Sequence, residues 1–238
     1  MKISYLPLAL AVAALLLLPL SGAGVRFGLW PFRFGFKVLA AAAGVGVLAA
    51  VCGLVGLAVP RLRAGSLGIL AVAVVVGLAV AYVPWNTGRQ AKKAPWIHDI
   101  STDLSDPPSF VAILPLRAGA PNPATYGGPE VAAAQRAAYP DVQPLQLDTP
   151  PAAAFARALA AARAMGWDVV AADPAAGRIE ATATTLWFGF KDDVVVRVKP
   201  AGTGSRVDVR SVSRVGKSDV GTNAKRIRAY LAKVAAGG

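Results

Sequence analysis

One cysteine and one histidine occur in 238 residues, and no Asp or Glu precedes Asp99. A lone thiol, Cys52, excludes an intrachain disulfide and a cysteine-based zinc site, and it leaves the redox compartment open. With His98 the only imidazole, any histidine-dependent triad or metal centre would have to use that residue. No Gly-Xaa-Ser-Xaa-Gly stretch is present, so the strained turn that carries a hydrolase serine has no counterpart. Charge is scarce too: Asp, Glu, Lys and Arg make up 16% of the chain, against a hydrophobic fraction of 55% and a mean hydropathy of +0.51. Such a chain is too apolar for disorder and unusual for a wholly water-soluble protein.

The scarcity of charge is concentrated at the front. Residues 3–20, 38–59 and 66–83 are uncharged runs, each near the roughly 20 residues that cross a hydrocarbon layer. They predict a three-helix transmembrane region over residues 1–85, in which Gly44, Gly46, Gly53, Gly56, Gly68 and Gly77 allow close helix contact. None of the runs holds Asp, Glu, Lys, Arg or His, which removes the usual marks of a proton relay or ion path. Residues 26–37 alternate aromatic and basic side chains, the composition of a segment at headgroup level. Lys2 and Ser21-Gly22-Ala23 resemble the ends of a signal peptide, but the first run is longer than a typical h-region, so a retained helix is expected. The Lys/Arg distribution between loops favours a cytoplasmic C-terminal domain.

Residues 86–94 read as a basic linker, and residues 95–238 are long enough for one domain with its own core. From 99 to 151 the chain is proline-rich with few periodic apolar positions. It predicts an extended wrap with one short helix near 130–138, anchored by Trp96, Phe110, Tyr126 and Tyr139. Thr149-Pro150-Pro151 starts a helix that ends at Gly166, with Thr149 as cap and Phe155, Leu159, Ala162 and Met165 on its buried side. Strands follow at 167–171, 178–184, 193–199 and 206–212, joined by short turns and hence antiparallel. Alternation puts Ile179, Ala181, Ala183, Val194, Val196, Val198, Val207 and Val209 toward the core. Arg178, Glu180, Asp193, Arg197, Lys199, Arg206, Asp208 and Arg210 then line the other face, and Asp192, Asp193, Arg197, Asp208 and Arg210 are expected to form a solvated cross-strand ladder, the alternative being a polar recognition face or substrate clamp. A last helix runs from 218 or 219 to 234 with Val220, Ala224, Ile227, Leu231 and Val234 as its stripe and Lys225, Arg226, Arg228 and Lys233 on its wet side. The expected fold is a membrane-anchored α+β protein whose soluble domain has a four-stranded antiparallel sheet and two helices, in the order helix, four strands, helix.

Two groups of side chains have chemical potential. His98, Asp99, Asp103, Asp192 and Asp193 would offer an oxygen-rich site with one imidazole if the wrap folded across the sheet; the commoner role of His98, Asp99, Ser101 and Asp103 is to cap turns. Arg210, Arg214, Lys217, Ser218, Arg226 and Arg228 gather near the start of the last helix, where free amides and the positive dipole end favour an anion such as phosphate or a lipid headgroup. Gly216-Lys217-Ser218 imitates the end of a nucleotide-binding loop, but Ser211 stands where its first glycine would be, so a nucleoside triphosphatase is not expected. No metal or cofactor is assigned, and the basic balance is explained by juxtamembrane lipid without nucleic acid.

Several linked blocks carry a resemblance. They are Ile97-His98-Asp99-Ile100-Ser101-Thr102-Asp103, Pro107-Pro108-Ser109-Phe110, Tyr139-Pro140-Asp141, Gly177-Arg178-Ile179-Glu180-Ala181, Phe190-Lys191-Asp192-Asp193-Val194, the run from Val207 to Asp219, Asn223-Ala224 and Arg226-Ile227. Over about residues 95–235 these are similar to the DUF1499 family, found in bacterial envelopes and plant plastids, often behind a membrane anchor or lipoprotein signal. The resemblance implies a cell-envelope setting, here the bacterial inner membrane, and transfers no reaction or catalytic residue. Relatives behind export signals imply a periplasmic soluble domain, opposite to the charge count. The expected function is a non-enzymatic binding or structural module that contacts a partner protein, a lipid headgroup or another anionic ligand. The alternative is a metal-assisted envelope hydrolase using His98 with Asp99, Asp192 or Asp193.

Overall fold

A computed structural model describes residues 5–237; Lys2 and the first two residues of the run at 3–20 lie outside the described residues. The chain forms two compact units. One comprises Met1–Lys92 with Leu186–Gly189, the other Lys93–Thr185 with Phe190–Gly238.

The first unit holds α1 (Leu6–Arg26), α2 (Phe32–Ala58), the single turn α3 (Pro60–Arg63) and α4 (Leu67–Lys93). Three of these, α1, α2 and α4, are long and apolar enough to cross a membrane. Their packing is the reverse of a water-soluble bundle. Ala11, Ala14, Ala42, Ala49, Ala73, Gly46, Gly53 and Gly77 are buried, while Leu15, Leu16, Leu48, Leu54, Val75 and Leu78 are exposed. Small residues inside and large apolar ones outside suit a hydrocarbon solvent, where close backbone approach replaces the hydrophobic effect as the source of helix association. At the α2–α4 crossing, a Cβ on Gly46 would fall 2.7 Å from the carbonyl oxygen of Gly77. Gly53 and Gly56 similarly admit Val74 and Leu70, whereas Gly44 and Gly68 face open space and make no such contact. The aromatic segment expected at headgroup level becomes helical from Phe32 onward, with Phe32 and Phe36 edge to face at 5.9 Å. Residues 86–93 continue α4, where Arg89 lies 4.8 Å over the Trp85 ring. Within this same unit Trp187 occupies the space beside Gly22, and Phe188 lies 5.2 Å from Phe36.

The second unit is built on a six-stranded antiparallel sheet, not a four-stranded one. Its strands are β1 (Asp99–Ser101), β2 (Leu145–Leu147), β3 (Asp168–Asp173), β4 (Arg178–Thr184), β5 (Lys191–Ala201) and β6 (Gly204–Ser213). The order is β1-β6-β5-β4-β3, and β2 pairs with β6 on the side that also carries β1. Both added strands are three-residue pieces of the proline-rich segment, too short to show a period of two. The segment also holds a 3-10 turn, Leu114–Arg117, and α5 (Gly128–Ala138), the short helix expected there.

Helices α6 (Pro151–Ala164) and α7 (Thr222–Ala235) cover one sheet face. That face carries the eight core residues named from alternation, all buried, with Trp167 stacked on Tyr230 at 4.8 Å and the Tyr230 hydroxyl donating to the Ala158 carbonyl at 2.8 Å. Burial holds the Tyr230 phenol well above its usual pKa. Three details differ from expectation. Thr149 does not cap α6, since its hydroxyl is buried without a partner and Pro150 precedes the first turn. Val220 is exposed with φ 54° and lies outside α7. Arg226 is not on a wet side: its side chain is 9% exposed and bonded to Asp192. Helix α7 starts late because Asp219 accepts the amides of Gly221 and Asn223 at 2.9 and 2.7 Å, a cap that fixes the turn before it. Burial, reinforced by the charge of Asp192, raises the Asp219 carboxyl above its ordinary pKa despite those amides and Arg226.

The opposite sheet face is where the sequence reading needs the largest correction. The alternating charges do not form a solvated ladder, because the proline-rich segment roofs them: Glu180, Asp193 and Asp208 are 0% exposed and Arg210 is 2% exposed. Phe110, Ile113, Val195 and Val212 form a small apolar cluster in the same layer. Of the expected aromatic anchors, Phe110 is buried and Tyr126 and Tyr139 are half-buried, while Trp96 is 75% exposed and anchors nothing.

Candidate functional site

The buried charges under the wrap are matched one by one. Glu180, on β4, accepts the backbone amides of Val111, Ala112 and Ile113 at 3.0–3.1 Å and the Arg178 Nε at 3.0 Å. The three consecutive amides open the 3-10 turn at Leu114, so one carboxylate fixes the direction of the wrap. Asp193, on β5, lies between two arginines. Arg117 reaches its Oδ2 at 2.6 Å, and Arg214 forks onto both oxygens at 2.9 and 2.8 Å, with the Thr182 hydroxyl donating to Oδ1 at 2.8 Å. Arg210, on β6, forks onto Asp99 of β1 at 2.9 and 2.8 Å and also donates to the carbonyls of Pro108 and Ala124. Gln135 of α5 closes the free edge of β1 by pairing with both the amide and the carbonyl of Ser101 at 2.9 and 2.6 Å. Nearer solvent, Asp103 joins Arg197 and Arg206, and Arg197 also bridges Asp106 and Asp208. Burial alone would raise the Asp103 carboxyl, but the Asp106 and Ser105 amides, the Ser105 hydroxyl and Arg206 together hold it below the usual range.

These pairings decide where the expected site residues stand. His98, Asp99, Asp192 and Asp193 do not converge. Asp99 and Asp193 share the wrap face, in register across Val212, and are paired separately, Asp99 with Arg210 and Asp193 with Arg117 and Arg214. Asp192 is on the helix face and pairs with Arg226 at 2.6 Å, because adjacent strand residues point to opposite sides. His98 contributes its carbonyl, which accepts the Ser213 amide and the Asn223 side-chain amide at 3.0 Å. Among the described residues no group of three His, Cys, Asp or Glu side chains is placed to hold a metal ion.

The basic group is divided in the same way. Arg210 binds Asp99, Arg214 binds Asp193, Arg226 binds Asp192 and Asn223, and Arg228 binds Asp141. The Arg228 guanidinium holds the Asp141 carboxyl below its ordinary pKa. Ser218 donates to the Pro95 carbonyl at 2.8 Å, and Lys217 remains exposed. Arg117 was not among the sequence candidates, although it is the one cation between Asp99 and Gln135. A single arginine in residues 99–135, which also carry Asp99, Asp103 and Asp106, is the signal that marks it as a buried partner.

What this arrangement does chemically is hold the wrap in one position. Every strongly buried carboxylate named here is spent on arginine or backbone amides. No curated protein matches the chain. A family model described as "Protein of unknown function (DUF1499)" matches residues 99–234, a span that begins with β1, includes the wrap and all six strands, and ends one residue before the last of α7. That match covers more than half of the chain, which therefore belongs to the DUF1499 family.

Proposed function

We propose that the chain is a non-enzymatic, membrane-anchored binding module that contacts anionic lipid headgroups through its helical layer, on the periplasmic side of a bacterial inner membrane as the family resemblance implies. One observation carries this reading: α6 and α7 contain six arginines and lysines and no acidic residue. Arg226 and Arg228 of that set are paired with carboxylates from elsewhere. Arg163 and Lys225 are exposed and Arg157 and Lys233 half-buried, and among the described residues none of the four has an ion pair with a carboxylate. Five of the thirteen acidic residues, Asp99, Glu180, Asp192, Asp193 and Asp208, are buried in the sheet, and the outer face of the helices supplies cations without an acid of its own.

Full-length protein in phosphatidylcholine nanodiscs is expected to co-float with vesicles containing phosphatidylglycerol and not with phosphatidylcholine vesicles. Each cation near an anionic surface contributes about 1 kcal/mol, so the variant with Arg157, Arg163, Lys225 and Lys233 all changed to Gln should lose more than about tenfold in partitioning. Equal co-flotation of the variant would reject the helical layer as the contact.

A further inference from the structure

The helix unit has a groove along the last turns of α1. It encloses about 490 Å³, within the roughly 300–1,000 Å³ of small-molecule sites. Its wall is made by Leu18, Pro19 and Ala23 of α1, by Val83 of α4, and by Leu186 and Trp187 from the loop after β4, with Arg26 also in the lining. From Leu18 to Arg26 the lining advances about 12 Å along α1, so it is apolar over most of its length and cationic at one end.

The wall is fixed and open to an incoming molecule. The Trp187 ring fills the space beside Gly22, where a Cβ would overlap it, and its Nε1 donates to the Pro19 carbonyl at 3.4 Å. Arg26 donates to the Leu186 carbonyl at 2.9 Å. These contacts hold the loop against α1 while leaving Pro19 and Arg26 exposed and Leu186 87% exposed. An apolar concavity bordered by exposed apolar side chains and rimmed by a charge marks a contact site.

Depth and charge then select the occupant. Tyr82 and Trp85, which flank Val83 in sequence, are exposed and lie 5.6 Å apart. Exposed Tyr and Trp on a spanning helix mark the boundary between hydrocarbon and headgroups, so the Leu18 end of the groove belongs to hydrocarbon and the Arg26 end to headgroups. The unit contains no Asp or Glu, and an anion that reaches Arg26 meets no carboxylate of this unit. A water-soluble anion would make no use of the apolar wall, and a plain hydrocarbon none of the guanidinium. A molecule with an alkyl chain below a phosphate uses both. We infer that this groove seats one acyl chain of an anionic phospholipid, with the lipid phosphate at the Arg26 guanidinium.

The test places full-length protein in nanodiscs of equal parts phosphatidylcholine and phosphatidylglycerol and weighs the protein with its retained lipid by native mass spectrometry. Phosphatidylglycerol should be retained in preference, and Arg26→Gln should lower its ratio to phosphatidylcholine about fivefold. Leu186→Asp, at a position too exposed to disturb the fold, should lower the ratio at least as far. Both drops should recur when Arg157, Arg163, Lys225 and Lys233 are all changed to Gln, which separates the groove from the helical layer. A nitroxide on Leu186→Cys in a Cys52→Ser background should be relaxed more by oxygen than by a water-soluble nickel chelate. Equal retention of the two lipids by the parent, an unchanged ratio in Arg26→Gln and Leu186→Asp in either background, or dominant relaxation by the nickel chelate overturns the inference.

Discussion

Asp193→Ala is expected to destabilise the sheet unit by about 3–5 kcal/mol, the loss that follows when one member of a buried ion pair is removed and its partner stays behind. Two guanidiniums depend on this carboxylate. Arg117 is 5% exposed, its other hydrogen bonds among the described residues go to the backbone carbonyls of Asn122, Pro123 and Val212, and Arg214 is held to both Asp193 oxygens. Without Asp193 the Arg117 charge has no compensation, and the 3-10 turn that carries it should lift from the sheet. Asp106→Ala is the matched control: its carboxylate is 69% exposed, and its pairs with Arg197 and Lys199 should contribute less than about 1 kcal/mol. Chemical unfolding of the full chain in a nonionic detergent, followed by the β-sheet signal, separates the two variants.

The second large effect is a reversal. Arg210→Met and Asp99→Leu should each cost roughly 3 kcal/mol or more, because each leaves a buried charge alone. Combining them should recover at least about 2 kcal/mol of the summed loss, since apolar residues of similar size can replace a buried ion pair with little or no penalty. The site suits such an exchange: both side chains are nearly inaccessible, and Phe110 lies against the guanidinium. The remaining deficit should come from the Pro108 and Ala124 carbonyls, which lose their donor. Strict additivity in the double variant would mean that the two residues stabilise the unit through different neighbours.

Much of the helix face of the sheet was readable from residue spacing. Ile179, Ala181 and Ala183, Val194, Val196 and Val198 of β5 and Val207 and Val209 alternate without interruption, and all are buried as the period of two requires. The other face shows the limit of the same rule. Alternation assigns Glu180, Asp193, Asp208 and Arg210 to one side, but it carries no information on whether something covers that side. What covers it is a segment with little regular structure of its own, held by amide donors at Val111, Ala112 and Ile113 that any sequence would supply. Backbone donors leave no trace in side-chain identity. For the same reason β1 and β2 escaped notice: three residues paired to the edge of β6 are too few for a pattern.

The candidate sites were legible as residue types and not as pairings. Arg210, Arg214, Arg226 and Arg228 stand close in sequence and suggest a common ligand, yet strand alternation and the turn of α7 send them to Asp99, Asp193, Asp192 and Asp141 in turn. Those acids are between 21 and 111 residues away along the chain, and no local spacing rule links them. The late start of α7 has a local cause that is visible afterwards: Asp219 precedes Gly221, which adopts φ 79° as the residue before the helix.

The central claim is that a roof of irregular chain closes over a layer of matched charges. Carbodiimide labelling of native full-length protein in nonionic detergent, read by mass spectrometry, tests it directly. Asp106 and Asp168, both exposed, should be modified readily, while Asp99, Glu180, Asp193 and Asp208 remain protected until the sheet unfolds. Modification of Glu180 and Asp193 at the rate of Asp106 in the folded protein would show a solvated sheet face and contradict the account.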